Sequence, residues 1–400
     1  MLRPLMVLLS GGLFRHVLTI AALPLLARIY EPDAFGRLGA VMAIVSLTAV
    51  VVHGRYHLAI PGARDHAEAR ALSRLAFGGV LVLSLPAVAL AWSFFADPID
   101  RWLTLGCATV LTASVATIDV SNYWRSRMRR FAVSARLDGA RAAFVLVAQF
   151  LLVPFGTLGL LLGTLGGTAL VAALGFLDML RTMPRAYPAA GLSAVARRYR
   201  AHPLFGVPQG WVAALSHNLM PLLLLKFAGV ALVGQYWVAY RLMLAPVALL
   251  NGAYRQAALG RLADAAPHAA AEAVRTHTSV LLALGAVPCA ALFVYGEPLL
   301  VALLGHGWST AGSITAWLAL GFWADGFKIP TFAFLQATGR QRSILLWEIA
   351  VVTVRYAFAL PLMLSGRPLD AIAVYSCAGL LGWSLFCLCH LRSERRFVLA

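Results

Sequence analysis

The 400-residue chain is 61% hydrophobic and only 12% charged, roughly half the charged share of an ordinary soluble domain, so a water-soluble fold is excluded. Its net charge is +17, yet the basic residues fall in short clusters between apolar runs, which is a topology signal rather than a face for nucleic acid. The five cysteines, Cys107, Cys289, Cys377, Cys387 and Cys389, lie in or beside apolar runs. No disulfide framework is expected, and Cys387, Cys389 and His390 at one helix end are too few to argue for a metal.

Taken in chain order, the apolar runs predict spans at 4–27, 38–54, 75–96, 102–121, 140–155, 158–180, 207–227, 235–256, 276–296, 311–334, 343–364 and 370–390. A spanning helix needs about 20 residues, so a chain of this length has room for roughly twelve. Arg15 and His16 interrupt the first run and no small-residue cleavage site follows. The N-terminus therefore reads as an uncleaved first helix. The stretch 142–177 is uncharged and as one helix would be about 54 Å long, against a hydrocarbon core of about 30 Å. It must double back, and Pro154, Gly156 and Gly159 mark the turn.

The loops fix an orientation. With both termini cytoplasmic, the arginine clusters at 55–74, 125–141, 181–200, 255–275 and 340–342 all fall inside. Only Arg28, Arg37, Arg101, Lys226 and Arg367 fall outside, as the positive-inside rule requires. The longest polar stretch, 182–206, contains Pro184, Pro188 and Gly191. It divides the chain into an N-lobe of six helices (1–181), a cytoplasmic linker (182–206) and a C-lobe of six (207–400). A faint internal echo supports two related halves: Arg28 stands eight residues before Gly36, and Lys226 eight before Gly234. Internal duplication with a substrate path between halves is a common plan of secondary transporters.

Charges inside spans carry the functional signal, because each costs about 2.5–3.5 kcal/mol at the bilayer centre even on the most lenient scale. Arg15 lies in the first span, Arg241 in the eighth and Arg355 in the eleventh. Asp325 and Lys328 are three residues apart in the tenth and share a helix face, while Glu348 enters the eleventh at a similar depth. Lys328 is expected to pair with Asp325 or Glu348. Asp119 and Asp178 lie beside arginines near helix ends and read as interfacial. The cations outnumber the acids, so the buried surface favours an anionic ligand such as phosphate or pyrophosphate. No P-loop, G-x-S-x-G or H-E-x-x-H string occurs, and no outside loop is large enough for a catalytic domain. The chain reads as no enzyme, with no cofactor.

Four strings resemble a known family. Leu26–Gly36 is similar to the R-x-Y-x-P-x-x-F-G turn between helices one and two of the polysaccharide-biosynthesis flippases, which carry O-antigen and other lipid-linked oligosaccharides. These belong to the multidrug/oligosaccharidyl-lipid/polysaccharide exporter superfamily. Gly54–Ile60 resembles their R-Y-E-x-A-I, with His57 where the family usually has Glu, and Ala67–Leu75 would follow as a short cytoplasmic helix. Val233–Arg241 resembles the G-x-Y-x-x-A-x-R opening of helix eight, and Gln336–Gln341 resembles Q-A-x-G-R-Q after helix ten.

The resemblance implies an all-α, two-lobed bundle of about twelve helices around a central cavity in the bacterial inner membrane. Its cargo would be an undecaprenyl-pyrophosphate-linked oligosaccharide, flipped to the periplasmic leaflet by alternating access. Membrane lipids, a glycan polymerase or export proteins would be its partners, with no nucleic acid. On this reading Arg15, Arg241 and Arg355 hold the pyrophosphate or acidic sugars. Asp325, Lys328, Glu348 and His16 form a charge cluster open to ion coupling. A drug or cation antiporter of the same superfamily needs an acid facing its cavity, and spans one to six offer none mid-membrane. A non-transporting scaffold of an envelope-assembly complex is the remaining alternative.

Overall fold

Backbone placed in hydrocarbon must satisfy its own N–H and C=O groups, and a helix does so within a single segment. The computed structural model describes residues 17–92, 98–183, 191–264, 267–338 and 340–398, and among them the regular structure is helical throughout. The helices are α1 Val17–Ile29, α2 Pro32–Val52, α3 His66–Trp92, α4 Pro98–Arg127, α5 Phe131–Leu151, α6 Thr157–Thr182 and α7 Leu192–Arg198. They continue with α8 Val207–Ala228, α9 Val230–Asp264, α10 Pro267–Leu304, α11 Ser309–Phe327, α12 Ile329–Ala337, α13 Gln341–Leu364 and α14 Pro368–Val398. Among the described residues, eight helices (α2, α4, α6, α8, α9, α10, α13 and α14) are long and apolar enough to cross a bilayer. The chain is a multi-pass membrane protein.

The expected turn after residue 152 is present. α5 ends at Leu151, a single 3-10 turn covers Val153–Phe155, and Gly156 takes a positive φ of 58° before α6 begins. The returning helix packs through Gly159, Gly163 and Gly167, one turn apart on one face. Side chains at Gly163 or Gly167 would collide with Gln149 and Val145 of α5. Small residues at this spacing let helix backbones approach closely where lipid gives no hydrophobic drive.

Two expectations are corrected. The short helix at 67–75 and the span at 75–96 are one continuous helix, α3, because no glycine or proline interrupts residues 66–77. The span at 311–334 is divided at Lys328 into α11 and α12. Pro330 stands in the first turn of α12 and has no N–H to donate, which ends the ladder of α11 there. Backbone bonds from Lys328 N–H to Ala324 (3.1 Å) and from Phe332 N–H to Lys328 (3.0 Å) carry the chain through the break.

By packing, the chain forms two units, Met1–Gly234 and Gln235–Ala400. In the first, α2 packs against α3, α4, α6 and α8. Ile60, Leu72, Trp124 and Met179 build a core at the arginine-rich end, into which α7 sets Val195. Residues 184–190 of the polar segment, with Pro184 and Pro188, lie outside the described residues. In the second unit, Phe327, Phe334, Leu335, Val351, Trp383 and Phe386 form a core joining α11, α12, α13 and α14.

The tightest backbone contact in the first unit, among the described residues, involves both glycines of the internal echo. A Cβ on Gly36 would overlap the carbonyl oxygen of Val230, and one on Gly234 would overlap the carbonyl oxygen of Pro32. Pro32 precedes Gly36 by four residues, as Val230 precedes Gly234, so the contact is reciprocal. Gly36→Ala should therefore lower thermal stability by about 1–3 kcal/mol, the usual cost of overpacking. Gly78→Ala, where a Cβ meets open space, should leave the melting temperature of the purified protein unchanged.

Candidate functional site

Arg355 stands well inside α13, with 13 residues of candidate span before it and nine after (Arg342–Leu364), and is only 3% exposed. A cation at that depth needs partners. Its guanidinium carbon lies 4.8 Å from the Tyr375 ring centre, and Nη1 donates to the Tyr375 hydroxyl at 3.4 Å. Room for it comes from Gly379, one turn beyond Tyr375 on α14. Any side chain there would overlap the guanidinium. Tyr356 packs 5.3 Å from Tyr375, ring to ring, and no carboxylate of the described residues lies within ion-pair distance of Arg355.

Arg241 is half-buried on α9, its guanidinium 4.5 Å from the ring centre of Trp237, one turn earlier. On the same helix, buried Tyr236 stacks on Tyr240 at 5.9 Å, and Tyr240 meets Phe322 of α11 edge-on at 5.2 Å. Gln235 fastens this stretch to the turn before α11. It donates to Gly307 C=O at 2.6 Å and accepts from Ala311 N–H at 2.9 Å.

At the break between α11 and α12, Lys328 pairs with Asp325 at 2.5 Å. Its ammonium also sits 3.7 Å from the Trp383 ring centre. Of the two acids expected to compete for Lys328, Asp325 takes the ion pair. Glu348 is half-buried and feels both charges electrostatically without forming a bond. Five of the expected residues, Arg241, Asp325, Lys328, Glu348 and Arg355, thus belong to the second unit, while Arg15 and His16 lie outside the described residues. The sequence reading missed the aromatic groups that hold the cations. The available signals were helical spacings: Trp237 to Arg241, and Tyr375 to Gly379.

The first unit has its own polar cluster. Arg125 is 1% exposed and fully partnered. It donates to Ser134 (3.0 Å), Asn122 (2.6 Å) and Gly175 C=O (3.4 Å), and lies 3.8 Å from Asp178. Arg130 binds Asp178 at 2.8 Å. The expectation that Asp178 sits beside arginines holds, but Arg125 is a buried strut rather than a surface topology charge. At the turn after α2, the His53 and His57 rings meet at a tilt, 3.8 Å between centres, His57 meets Tyr123 at 4.9 Å, and His53 approaches Asp119 at 3.9 Å. Between them Arg55 holds a left-handed φ of 58° and lays its side chain on Gly206 and Gly210 of the polar segment and α8.

A family profile described as polysaccharide biosynthesis protein matches residues 25–313, well over half of the chain. The chain belongs to this family. A search of curated protein sequences finds no match. Among solved structures, the lipid II flippase MurJ in an inward closed conformation superposes with a TM-score of 0.78 at 12% identity, covering 98% of this chain and 87% of that one. An inward-facing multidrug resistance MATE transporter of the MOP superfamily matches at TM-score 0.65 and 18% identity, over 98% and 99% of the two chains. A MOP superfamily transporter from Pyrococcus furiosus gives 0.59 and 16%, over 99% and 96%. At these identities the likeness is one of fold: the two-lobed, all-helical architecture of flippases and transporters.

In this member of the polysaccharide biosynthesis family, the motif strings occupy structural corners. Tyr30, at the α1–α2 corner, donates to Gln149 C=O of α5 at 2.6 Å. The Gly54–Ile60 string makes the His53–Arg55–His57 turn, and the Gln336–Gln341 string covers the α12–α13 turn apart from Gly339, which is outside the described residues. Glu68, in the first turn of α3, is 5% exposed. Burial alone would raise its carboxyl. The Arg64 N–H (2.7 Å), the Tyr199 hydroxyl and the Arg198 guanidinium (3.0 Å) outweigh burial and hold it below the ordinary carboxylate value.

His57 stands where the family usually has Glu. Burial, and next the Arg55 charge, push its imidazole down from 6.5 to about 4, and burial with His57 and Arg55 pushes His53 down to about 2. The folded state thus refuses protons that the unfolded chain accepts below pH 6.5, so the stability present above that pH is lost as pH falls toward 4. The double variant His53→Gln/His57→Gln should flatten the acid side of the melting-temperature profile between pH 6.5 and 4. An unchanged acid limb would mean that the imidazoles are not the responsive groups.

Proposed function

We propose that the protein is a flippase that carries an undecaprenyl-pyrophosphate-linked oligosaccharide from the cytoplasmic to the periplasmic leaflet of a bacterial inner membrane. Membership of the polysaccharide biosynthesis family and the transporter fold supply the class. The observation that carries the choice of cargo is the sign of the charge held within the second unit. Asp325 is paired with Lys328, while Arg355, buried within α13, has no carboxylate at ion-pair distance. Fixed positive charge in a low-dielectric setting attracts phosphate and acidic sugars and repels cationic drugs.

On this reading about twelve spans are arranged six and six about the 182–206 linker, with the arginine-rich loops cytoplasmic. Arg241 contacts the pyrophosphate or acidic sugars together with Arg15. Arg355 adds its field from within and reaches the cargo directly only when the helices around it part. Asp325, Lys328 and Glu348 exchange pairing between inward-open and outward-open states, and His16 is the further candidate for carrying a coupling proton.

Deleting the gene in its native host and tracing lipid-linked oligosaccharide by leaflet tests the cargo. Accumulation on the cytoplasmic side with loss of surface glycan is the expected result, while intact glycan with new sensitivity to cationic dyes would point to a drug exporter. In proteoliposomes, Arg241→Gln should slow transfer of a fluorescent polyprenyl-pyrophosphate oligosaccharide by about tenfold, the usual scale for losing one charged hydrogen bond. Full activity in that variant would remove Arg241 from the cargo path.

A further inference from the structure

A cavity of about 390 Å³ lies at the arginine-rich end of the first unit, between the turn before α3 (Arg64, Asp65), the first turn of α3 (Glu68) and α7 (Val195, Arg198). Its size is that of an ordinary ligand site, about 300–1,000 Å³. Its place is the end of two candidate spans. Arg127, the last residue of the span Trp102–Arg127, donates to the carbonyls of Ile60 (3.2 Å), Pro61 (3.4 Å) and Ala63 (2.7 Å), and so ties the turn before Arg64 to that boundary. Arg198 stands four residues before the span His202–Ala228 begins. The cavity therefore sits at the depth of lipid head groups.

Its charged lining is two cations and two acids, and they differ in what they have left to offer. Glu68 is fully engaged, accepting from the Arg64 N–H (2.7 Å), the Arg198 guanidinium (3.0 Å) and the Tyr199 hydroxyl. Asp65 gives Oδ1 to the Glu68 N–H at 2.7 Å and keeps Oδ2. Among the described residues the Arg64 guanidinium is in no ion pair, with Asp65 or any other acid. Arg198 carries five N–H donors and spends one nitrogen on Glu68. An anion alone would meet Asp65 here, and a cation alone would meet Arg64. A ligand that carries both signs suits both.

We propose that this cavity binds the head group of a zwitterionic phospholipid with a primary ammonium, the phosphatidylethanolamine class. Its phosphodiester meets Arg64 and the spare N–H groups of Arg198, as charge-assisted hydrogen bonds to phosphate do, and its ammonium donates to Asp65 Oδ2. A trimethylammonium head group has no N–H to give, and a glycerol head group has no cation, so the same lining discriminates against both. Bound there, the lipid joins the turn before α3 to α7. The site does not depend on the identity of the cargo and would operate in a transporter of either polarity.

The test uses the full-length protein, delipidated in detergent and offered an equimolar mixture of phosphatidylethanolamine, phosphatidylcholine and phosphatidylglycerol of matched acyl chains. Bound lipid is read by native mass spectrometry. The expected result is one phosphatidylethanolamine retained about tenfold above either competitor, the scale of one charged hydrogen bond. Asp65→Asn removes the charge and keeps a side chain that caps a helix equally well, so it should erase the preference over phosphatidylcholine without lowering the melting temperature. Arg64→Gln leaves the backbone N–H that Glu68 uses and should weaken retention of phosphatidylethanolamine by about tenfold. Should one variant fail to fold, the other decides. A preference unchanged in the folded variants, or no preference in the native protein, would overturn the proposal. Displacement of the bound lipid by equimolar free phosphoethanolamine would also overturn it, since the ligand would then be a soluble one. Loss of lipid selectivity with normal oligosaccharide transfer would leave the flippase reading intact, and the converse holds equally.

Discussion

Hydrocarbon offers no hydrogen bonds, and most features of this chain follow from that one constraint. It forces the backbone into helices and makes each change of direction a place where glycine or proline is needed. It also turns every charge within a span into a structural problem with a specific answer. The answers differ between the units. In the first, Arg125 is surrounded by acceptors, among them a serine, an asparagine, a carbonyl and Asp178. In the second, Arg241, Lys328 and Arg355 each lie on an aromatic ring.

That contrast bears on function. A cation saturated by acceptors is a strut, and moving it breaks several bonds at once. In the second unit the aromatic face adds the attraction of its ring quadrupole to a directed bond, from Lys328 to Asp325 and from Arg355 to the Tyr375 hydroxyl. The break at Lys328 belongs to the same design, since the residue that interrupts α11 is also the one clasped by Asp325 and Trp383.

Much of the fold was legible because apolar run length and turn residues report directly on a bilayer. The doubling back at Pro154 and Gly156, helices under the later spans and the narrowing of the Lys328 partner to Asp325 or Glu348 all follow from residue type and local spacing. What escaped was non-local or depended on subtle backbone geometry. Tyr375 reaches Arg355 from another helix, α14, and nothing in a tyrosine marks it as the seat of an arginine. The division at Lys328 was hidden because the apolar run continues across it, and Pro330 alone does not tell a kink from a break. Arg125 looked like one more loop arginine until Gly175 and Ser134 closed over it. His57 departs from the usual Glu, and its burial between His53 and Tyr123 shows packing where the family pattern suggested a carboxylate.

The reciprocal contact between Gly36 and Gly234 has a genetic consequence. When two side chains clash, a second mutation can relieve the clash by shortening the partner. Here neither position has a side chain to shorten, and the atoms that an added methyl would strike are the carbonyls of Pro32 and Val230, which no substitution removes. Intragenic suppressors of a defect at either glycine should not arise at the other. They should arise where the course of α2 or α9 can shift as a whole, such as the corner at Tyr30 and Glu31 or the turn at Gly229.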